Sequence, residues 1–297
     1  MTLADGFPAL LASDPGDPET IKACCAAAYG HDLVGTLLGD SYHPGGADLT
    51  RRLADTMQLR VGERLLDVAS GTGTSPVLLA DEYGVHVTGV DLGPAQVTTA
   101  RARADELGLD DQVRFEVGDA ERLAFGAERF DAVICECALC TFPSKPAVLG
   151  EMARVLRPGG RVGITDVWLE PDRLDAELRG LAGRIACLAD ARPIAEQRAL
   201  IEGAALEVTH VEQHDDALAA MIEQVRSRLR ALRLADLPAL RTLDLRRGIE
   251  LACRAADAVE RGDAGYLLVV ATKPQGGGDH VSGPGSGMVR RGAGRAG

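Results

Sequence analysis

Aromatic residues are scarce: Phe, Trp and Tyr make up 3% of the 297 residues, with one Trp. Few rings are therefore at hand to stack on unpaired bases or to cage a quaternary ammonium. Basic charge is also short. Lys and Arg number 32 against 44 Asp and Glu, a formal net charge of −12. That balance argues against nucleic acid as the main partner, because phosphate binding needs a basic face. Long apolar runs are missing, so no membrane span is expected. The start, MTLADGFPALLASDPGDPET, has no basic n-region of a signal peptide. Seven cysteines without an export signal read as reduced thiols, which makes the expected compartment cytoplasmic. Paired C-x-x-C knuckles are lacking as well. Cys135, Cys137 and Cys140 form one irregular C-x-C-x-x-C, so no metal centre is expected.

What is present is organised around the stretch 65–75, LLDVASGTGTS. Leu65, Leu66 and Val68 form the apolar run that a buried parallel strand needs. The turn Ser70-Gly71-Thr72-Gly73-Thr74 follows, and a helical pattern begins at Pro76-Val77-Leu78-Leu79. Strand, tight glycine turn and helix open a nucleotide-binding βαβ unit. The glycines let the backbone turn sharply and let a ligand approach without a Cβ in the way. A dinucleotide fingerprint is not matched, since Pro76 stands where its third glycine would fall. That disfavours a nicotinamide or flavin oxidoreductase. Taken alone, the turn is equally compatible with a strand–helix junction that binds nothing.

Further strands follow in order. Val87-Thr88-Gly89-Val90-Asp91 ends in an acid 18 residues after Gly73, close to the spacing of a ribose-binding carboxylate. A third strand over 113–117 runs into Gly118-Asp119-Ala120-Glu121, and a fourth over 130–134 leads into Cys135-Glu136-Cys137. The phrase Val155-Leu156-Arg157-Pro158-Gly159-Gly160 closes a helix before a strand over 161–167. Upstream, Asp17-Pro18-Glu19-Thr20 starts a helix carrying Ile21, Cys24, Cys25 and Tyr29. Downstream, residues 172–191 read as a helix with Cys187 beside its leucine stripe. A helix over 194–202, a strand over 206–211, two helices over 215–234 and 240–261, and a buried strand over 266–272 complete the pattern. His214-Asp215-Asp216 reads as a helix start rather than a metal site.

The pattern hh-Asp-h-Ala-x-Gly-x-Gly at 65–73, the strand-end acids Asp91 and Asp119, and the L-R-P-G-G phrase resemble class I S-adenosylmethionine-dependent methyltransferases. The landmarks run in that family's order from 64 to 168. The resemblance implies an α/β fold: a Rossmann-like seven-stranded methyltransferase sheet with an N-terminal helical lid and a helical cap inserted between the last two strands. It divides the chain into a leader and lid (1–55), the core (56–213), the cap (214–264), the final core strand (265–274) and a glycine-rich tail expected to be disordered (275–297). The cap is about fifty residues where a short hairpin is usual. Its alternative use is a surface for a homodimer. The implied cofactor is S-adenosylmethionine, held by Asp67, Ala69, Gly71, Gly73, Asp91, Leu92, Asp119 and Ala120. The lid makes Tyr42 and His43 candidates on the substrate side.

Methyl transfer from a sulfonium is an in-line displacement, so the protein mainly aligns the nucleophile and excludes water. The variable part is the nucleophile and its base. In an extended strand Cys135 and Cys137 share a face, with Glu136 turned the other way or into the site. The segment 133–138, with Asp166 and Cys187, resembles arsenite methyltransferases, and arsenic(III) prefers thiolates. Cys137 and Cys187 match that family's cysteines, whereas Pro76 stands where the family carries another. The candidate catalytic residues are thus Cys137, Cys187, Glu136 and His43, acting on a small-molecule acceptor. The plain alternative for each thiol is packing, since free cysteine behaves as a small hydrophobe. Two rivals stay open: an O-, N- or C-methyltransferase with Glu136 or His43 as base, and a non-catalytic donor sensor or thiol metal binder.

Overall fold

A computed structural model describes residues 17–39, 41–173, 190–235, 238–240 and 243–275. The leader, residues 174–189 of the helix predicted over 172–191, Cys187 among them, and the tail from 276 lie outside the described residues, while Asp172 and Arg173 form a 3-10 turn instead. Seven strands form one sheet in the order β3-β2-β1-β4-β5-β7-β6. They are β1 (Arg64–Val68), β2 (His86–Asp91), β3 (Val113–Val117), β4 (Phe130–Glu136), β5 (Leu156–Leu169), β6 (Glu207–Gln213) and β7 (Ala264–Thr272). β1 to β5 pair in parallel, with Leu65 opposite Val87 and Leu66 opposite Val133. β7 alone runs antiparallel, between β5 and β6. The apolar run of β1 explains its place in the middle: Leu65, Leu66 and Val68 are fully buried, as a strand covered on both faces requires.

The helices in chain order are α1 (Pro18–Tyr29), α2 (Asp32–Leu38), α3 (Gly46–Met57), α4 (Thr74–Tyr83), α5 (Pro94–Glu106), α6 (Lys145–Val155), α7 (Ile194–Gly203), α8 (Asp215–Ala235) and α9 (Leu245–Glu260). One face of the sheet is covered by residues of α3, α4, α5, α8 and α9, the other by α6 and α7. Gly163 of β5 makes room for α3: a Cβ there would lie 2.3 Å from Met57 Sδ. α1 begins as its sequence predicts, with Asp17 accepting the Thr20 amide at 3.0 Å and Pro18 in the first turn. Its buried residues are Lys22, Cys25 and Ala28, while Ile21 and Cys24 are half-buried.

Two further expectations shift in detail. The L-R-P-G-G phrase does follow a helix end, at Val155, but the strand already starts at Leu156 rather than 161, and Gly159 turns within it at φ +74°. The insertion between β6 and β7 does form two helices, and they reach back to the N-terminal segment. Gln224 and Arg228 of α8 donate to the carbonyls of Leu38 and Leu37, at 3.1 and 2.8 Å. Leu240 is buried with Ala28, Leu33 and Val34. Asp215 opens α8 and accepts the Trp168 indole N–H at 3.1 Å and the Tyr266 amide at 3.0 Å, which ties the insertion to the sheet. No described helix is long and apolar enough to cross a membrane.

Candidate functional site

A cleft opens at the carboxyl ends of β1, β2, β3 and β4, where sheets of this kind bind ligands. Its empty space is about 1120 Å³, the open mouth included. Every donor-binding candidate but Gly73 lines it: Asp67, Ala69, Gly71, Asp91, Leu92, Asp119 and Ala120. Gly73 works from behind, as the left-handed N-cap of α4 at φ +81°. A Cβ on Gly73 would lie 2.7 Å from Phe115 and 2.8 Å from Ala100. A Cβ on Gly71, at φ +53°, would meet no protein atom within 4 Å. One glycine is demanded by packing, the other by backbone conformation at the cleft wall. Ala69 also holds a positive φ, +62°, which a Cβ makes costly.

Asp91 fastens this turn. It accepts the amides of Gly71 at 2.9 Å and Gly93 at 2.8 Å. Burial pushes its pKa above the ordinary carboxylate value, although both amide bonds work in the opposite sense. Asp67 is buried at the cleft floor, 4% exposed. Burial raises its pKa well above the usual range, and the charges of Glu136 and Asp91 add to the rise. The buried Ser70 hydroxyl has no hydrogen-bond partner within the described protein. The hydroxyl lies against Gly89 of β2, behind the turn rather than in the open cleft. A carboxylate fastened by two amides and an open glycine turn together fit the ribose and amino-acid portion of S-adenosylmethionine.

Asp119 accepts Lys22 Nζ at 2.8 Å and the Glu121 amide at 2.9 Å. Burial alone would raise its pKa, but Lys22 and the amide hold it below the ordinary value. Leu92 and Ala120 supply apolar surface next to these two acids.

His43 and Glu136 come together although 93 residues separate them. His43 Nε2 lies 3.8 Å from Glu136 Oε2, with both side chains buried. Thr50 of α3 bridges them, donating to Glu136 at 3.0 Å and lying 3.3 Å from His43 Nε2. His43 Nδ1 lies 3.1 Å from the Pro44 carbonyl oxygen. That oxygen can only accept, so Nδ1 carries a hydrogen and Nε2 is the nitrogen turned toward Thr50 and Glu136.

The cysteines do not gather as expected. β4 ends at Glu136, and Cys137 turns into the left-handed region at φ +53° while its amide donates to the Thr165 carbonyl at 2.6 Å. Cys135 and Cys137 therefore do not share a face. Cys135 is fully buried among Val133, Val148 and Leu149, and Cys137 packs toward the other core. Cys140 is buried, its amide donating to Asp166 Oδ2 at 2.8 Å. The thiols that line the cleft among the described residues are Cys137 and Cys25. Among the described residues no group of three or more His, Cys, Asp or Glu is arranged to hold a metal.

Sequence reasoning gave Thr50 and Lys22 no role and named Cys25 only on the N-terminal helix. For two of them a signal existed. Lys22, Cys25, Ala26 and Tyr29 all line the cleft, and their i, i+3, i+4, i+7 spacing is one helix face.

The family described as a methyltransferase domain matches residues 59–226. Methyltransferase GfsG of Streptomyces halstedii is 30% identical over 79% of this chain and 83% of its own. The 27-O-demethylrifamycin SV methyltransferase of Amycolatopsis mediterranei is 38% identical over 47% of this chain and 56% of its own. An arsenite methyltransferase of Halobacterium salinarum is 33% identical over 52% and 40%. The chain thus spans little more than half of the rifamycin relative and less than half of the arsenite one. Among solved structures, Haemonchus contortus phosphoethanolamine N-methyltransferase 2, held with S-adenosylhomocysteine, has a TM-score of 0.70 at 19% identity, over 84% of this chain and 58% of its own.

Proposed function

The chain belongs to the methyltransferase-domain family, in its class I, S-adenosylmethionine-dependent form, and from that premise we propose that it methylates a hydroxyl oxygen of a small molecule. The observation that carries this reading is the pairing of His43 and Glu136 in the cleft wall, bridged by Thr50 from behind it. S-adenosylmethionine supplies a methyl group already activated on sulfur. The chain's own residues do the rest. Asp91, Asp119 and the turn at Gly71 hold the donor, and burial under α1 and the loop at Ser41–His43 keeps water out. As the acceptor oxygen forms its bond to the methyl carbon and the carbon–sulfur bond breaks, the hydroxyl proton passes to His43 Nε2. Glu136, 3.8 Å away, stabilises the imidazolium so formed.

On this reading α1 and the loop after α2 act as the lid over a core that runs to 213. The insertion over 214–264 props that lid through its contacts with Leu37 and Leu38. A second reading, a thiol-bound acceptor such as arsenite, draws on the presence of both Cys25 and Cys137 in the cleft wall.

One assay separates the two. Reduced protein is incubated with S-adenosylmethionine and a panel of hydroxyl compounds, amines and arsenite, and S-adenosylhomocysteine is read by mass spectrometry. Turnover of a hydroxyl compound, lost in His43→Asn and kept in Cys137→Ser, is the expected result. Turnover of arsenite that disappears in Cys137→Ser and survives in His43→Asn would replace this reading with the second.

A further inference from the structure

Lys22 is the one Lys or Arg among the described residues that line the cleft, and it is 7% exposed. A lysine is rarely buried to that degree unless paired. This one meets three carboxylates: Asp119 at 2.8 Å, Glu121 at 3.1 Å and Glu19 at 2.8 Å. Glu19 is on its own helix. Asp119 and Glu121 belong to the loop after β3, some hundred residues away in sequence. Burial works against the ammonium, but the hydrogen bonds to Asp119, Glu19 and Glu121 outweigh it and raise the lysine pKa. The group is charged throughout the physiological range.

The loop is tied a second time. Glu121 Oε2 takes Lys22, while its Oε1 accepts the amide of Ser144 at 2.8 Å. Ser144 follows the turn that carries Thr141 and Phe142 into the cleft wall. One glutamate therefore joins the helix above the cleft to the loop on its far side. Asp119 accepts two hydrogen bonds here, and a carboxylate has about four lone-pair positions, so it can hold Lys22 and a ligand amino group together.

We propose that Lys22 is a positioning residue for the donor: it fastens α1 over the Asp119 end of the cleft, and through Glu121 it links closure of that helix to the loop at Thr141–Ser144. The inference rests on the donor-site assignment above. It differs from a generic contact in its location, since the latch closes on the same carboxylate that faces the donor. Opening the latch frees α1 without removing any group expected to touch the reacting atoms. Donor and product should then leave faster, while the chemical step in the saturated enzyme changes little.

The experiment compares wild type with Lys22→Met, Lys22→Arg and Glu121→Gln. Dissociation of S-adenosylhomocysteine is followed by stopped flow, donor KM and kcat are measured, and hydrogen exchange is read over residues 18–29, the Thr141–Ser144 loop and the strands. The expected result is a rise of about tenfold in the dissociation rate and donor KM of Lys22→Met, equal to about 1.4 kcal/mol. Its kcat should stay within about threefold. Faster exchange should appear over 18–29 and at the Thr141–Ser144 loop, with the strands unchanged. Lys22→Arg should recover most of the loss. Wild-type dissociation and exchange rates in Lys22→Met would overturn the latch while leaving the donor site intact. A wild-type protein that fails to bind S-adenosylhomocysteine would overturn the donor-site assignment and the latch with it. A general rise in exchange across the strands would reduce Lys22 to a stabilising ion pair and also overturn the proposal.

Discussion

Thr50→Val removes one hydroxyl and keeps the shape of the side chain, so it tests the base assembly without opening a cavity. The lost oxygen contacts both oxygens of Glu136, at 3.0 and 3.3 Å, as well as His43 Nε2 at 3.3 Å and the Ser75 hydroxyl at 3.4 Å. A hydrogen bond to a charged group contributes about 1.5–3 kcal/mol. Glu136 has a side chain 5% exposed, so water replaces the missing donor poorly. We expect a stability loss of about 2 kcal/mol by urea titration. The same change frees Glu136 and His43 to drift from their shared geometry, which should lower kcat by about ten- to a hundredfold. Thr50 is not part of the cleft wall, so donor KM should move by less than about threefold. Thr50→Ser restores the hydroxyl and should recover most of kcat. The reasoning fails if Thr50→Val keeps wild-type kcat, or if Thr50→Ser loses as much as the valine.

The two glycines of the first turn should separate cleanly. Gly73→Ala meets Phe115 and Ala100 under 3 Å and should cost several kcal/mol, visible as a lowered urea midpoint. Gly71→Ala faces open space, so it should cost only about 1 kcal/mol of backbone strain yet weaken donor binding in calorimetry, because Gly71 lines the cleft. Equal losses of stability in the two variants would contradict that division. Cys135→Ser buries a hydroxyl among aliphatic side chains and should lower stability with donor KM unchanged, whereas Cys137→Ser at the cleft wall should do the reverse. Asp67 gives a pH signature. Its folded pKa is raised, so between the unfolded value near 3.8 and the higher folded one the native state holds a proton that the unfolded chain has released. Stability of the donor-free protein should therefore fall as pH rises from about 4, by up to about 1.4 kcal/mol per unit from this group. Asp67→Asn should remove that part of the slope in urea titrations between pH 4 and 8. Parallel slopes in the two proteins would show that Asp67 ionises freely in the fold.

The sheet was legible because its signals are local. Leu65-Leu66 and Val68 need no partner to read as a buried strand, and each strand-end acid is found by counting along the chain from the glycine turn. The α4 turn follows the same rule, since Gly71 and Gly73 advertise their backbone conformations in their identity. Local signals also mark where the reading slipped. The alternation rule put Cys135 and Cys137 on one face, but it holds only while the strand continues, and β4 stops at Glu136. A single left-handed residue, Cys137, moved one thiol to the other side of the sheet.

The base assembly was half legible for a different reason. His43 and Glu136 each stood out by position, one in a turn-rich loop ahead of the first strand and the other at a strand end. Their meeting depends on the path of α3, which lies across β5 because Gly163 has no side chain to hold Met57 away. Thr50 gains its role from that packing alone. In the sequence it is one more threonine on a helix, 86 residues from the glutamate it serves. Lys22 is similar: a charged residue on an N-terminal helix reads as solvated until the loop after β3 arrives to pair with it. Residues whose chemistry is intrinsic, such as a strand-end acid under a glycine turn, can be assigned from the chain. Residues whose chemistry is conferred by a distant partner cannot, and in this cleft those are the ones that set the base in place and fasten the helix above it.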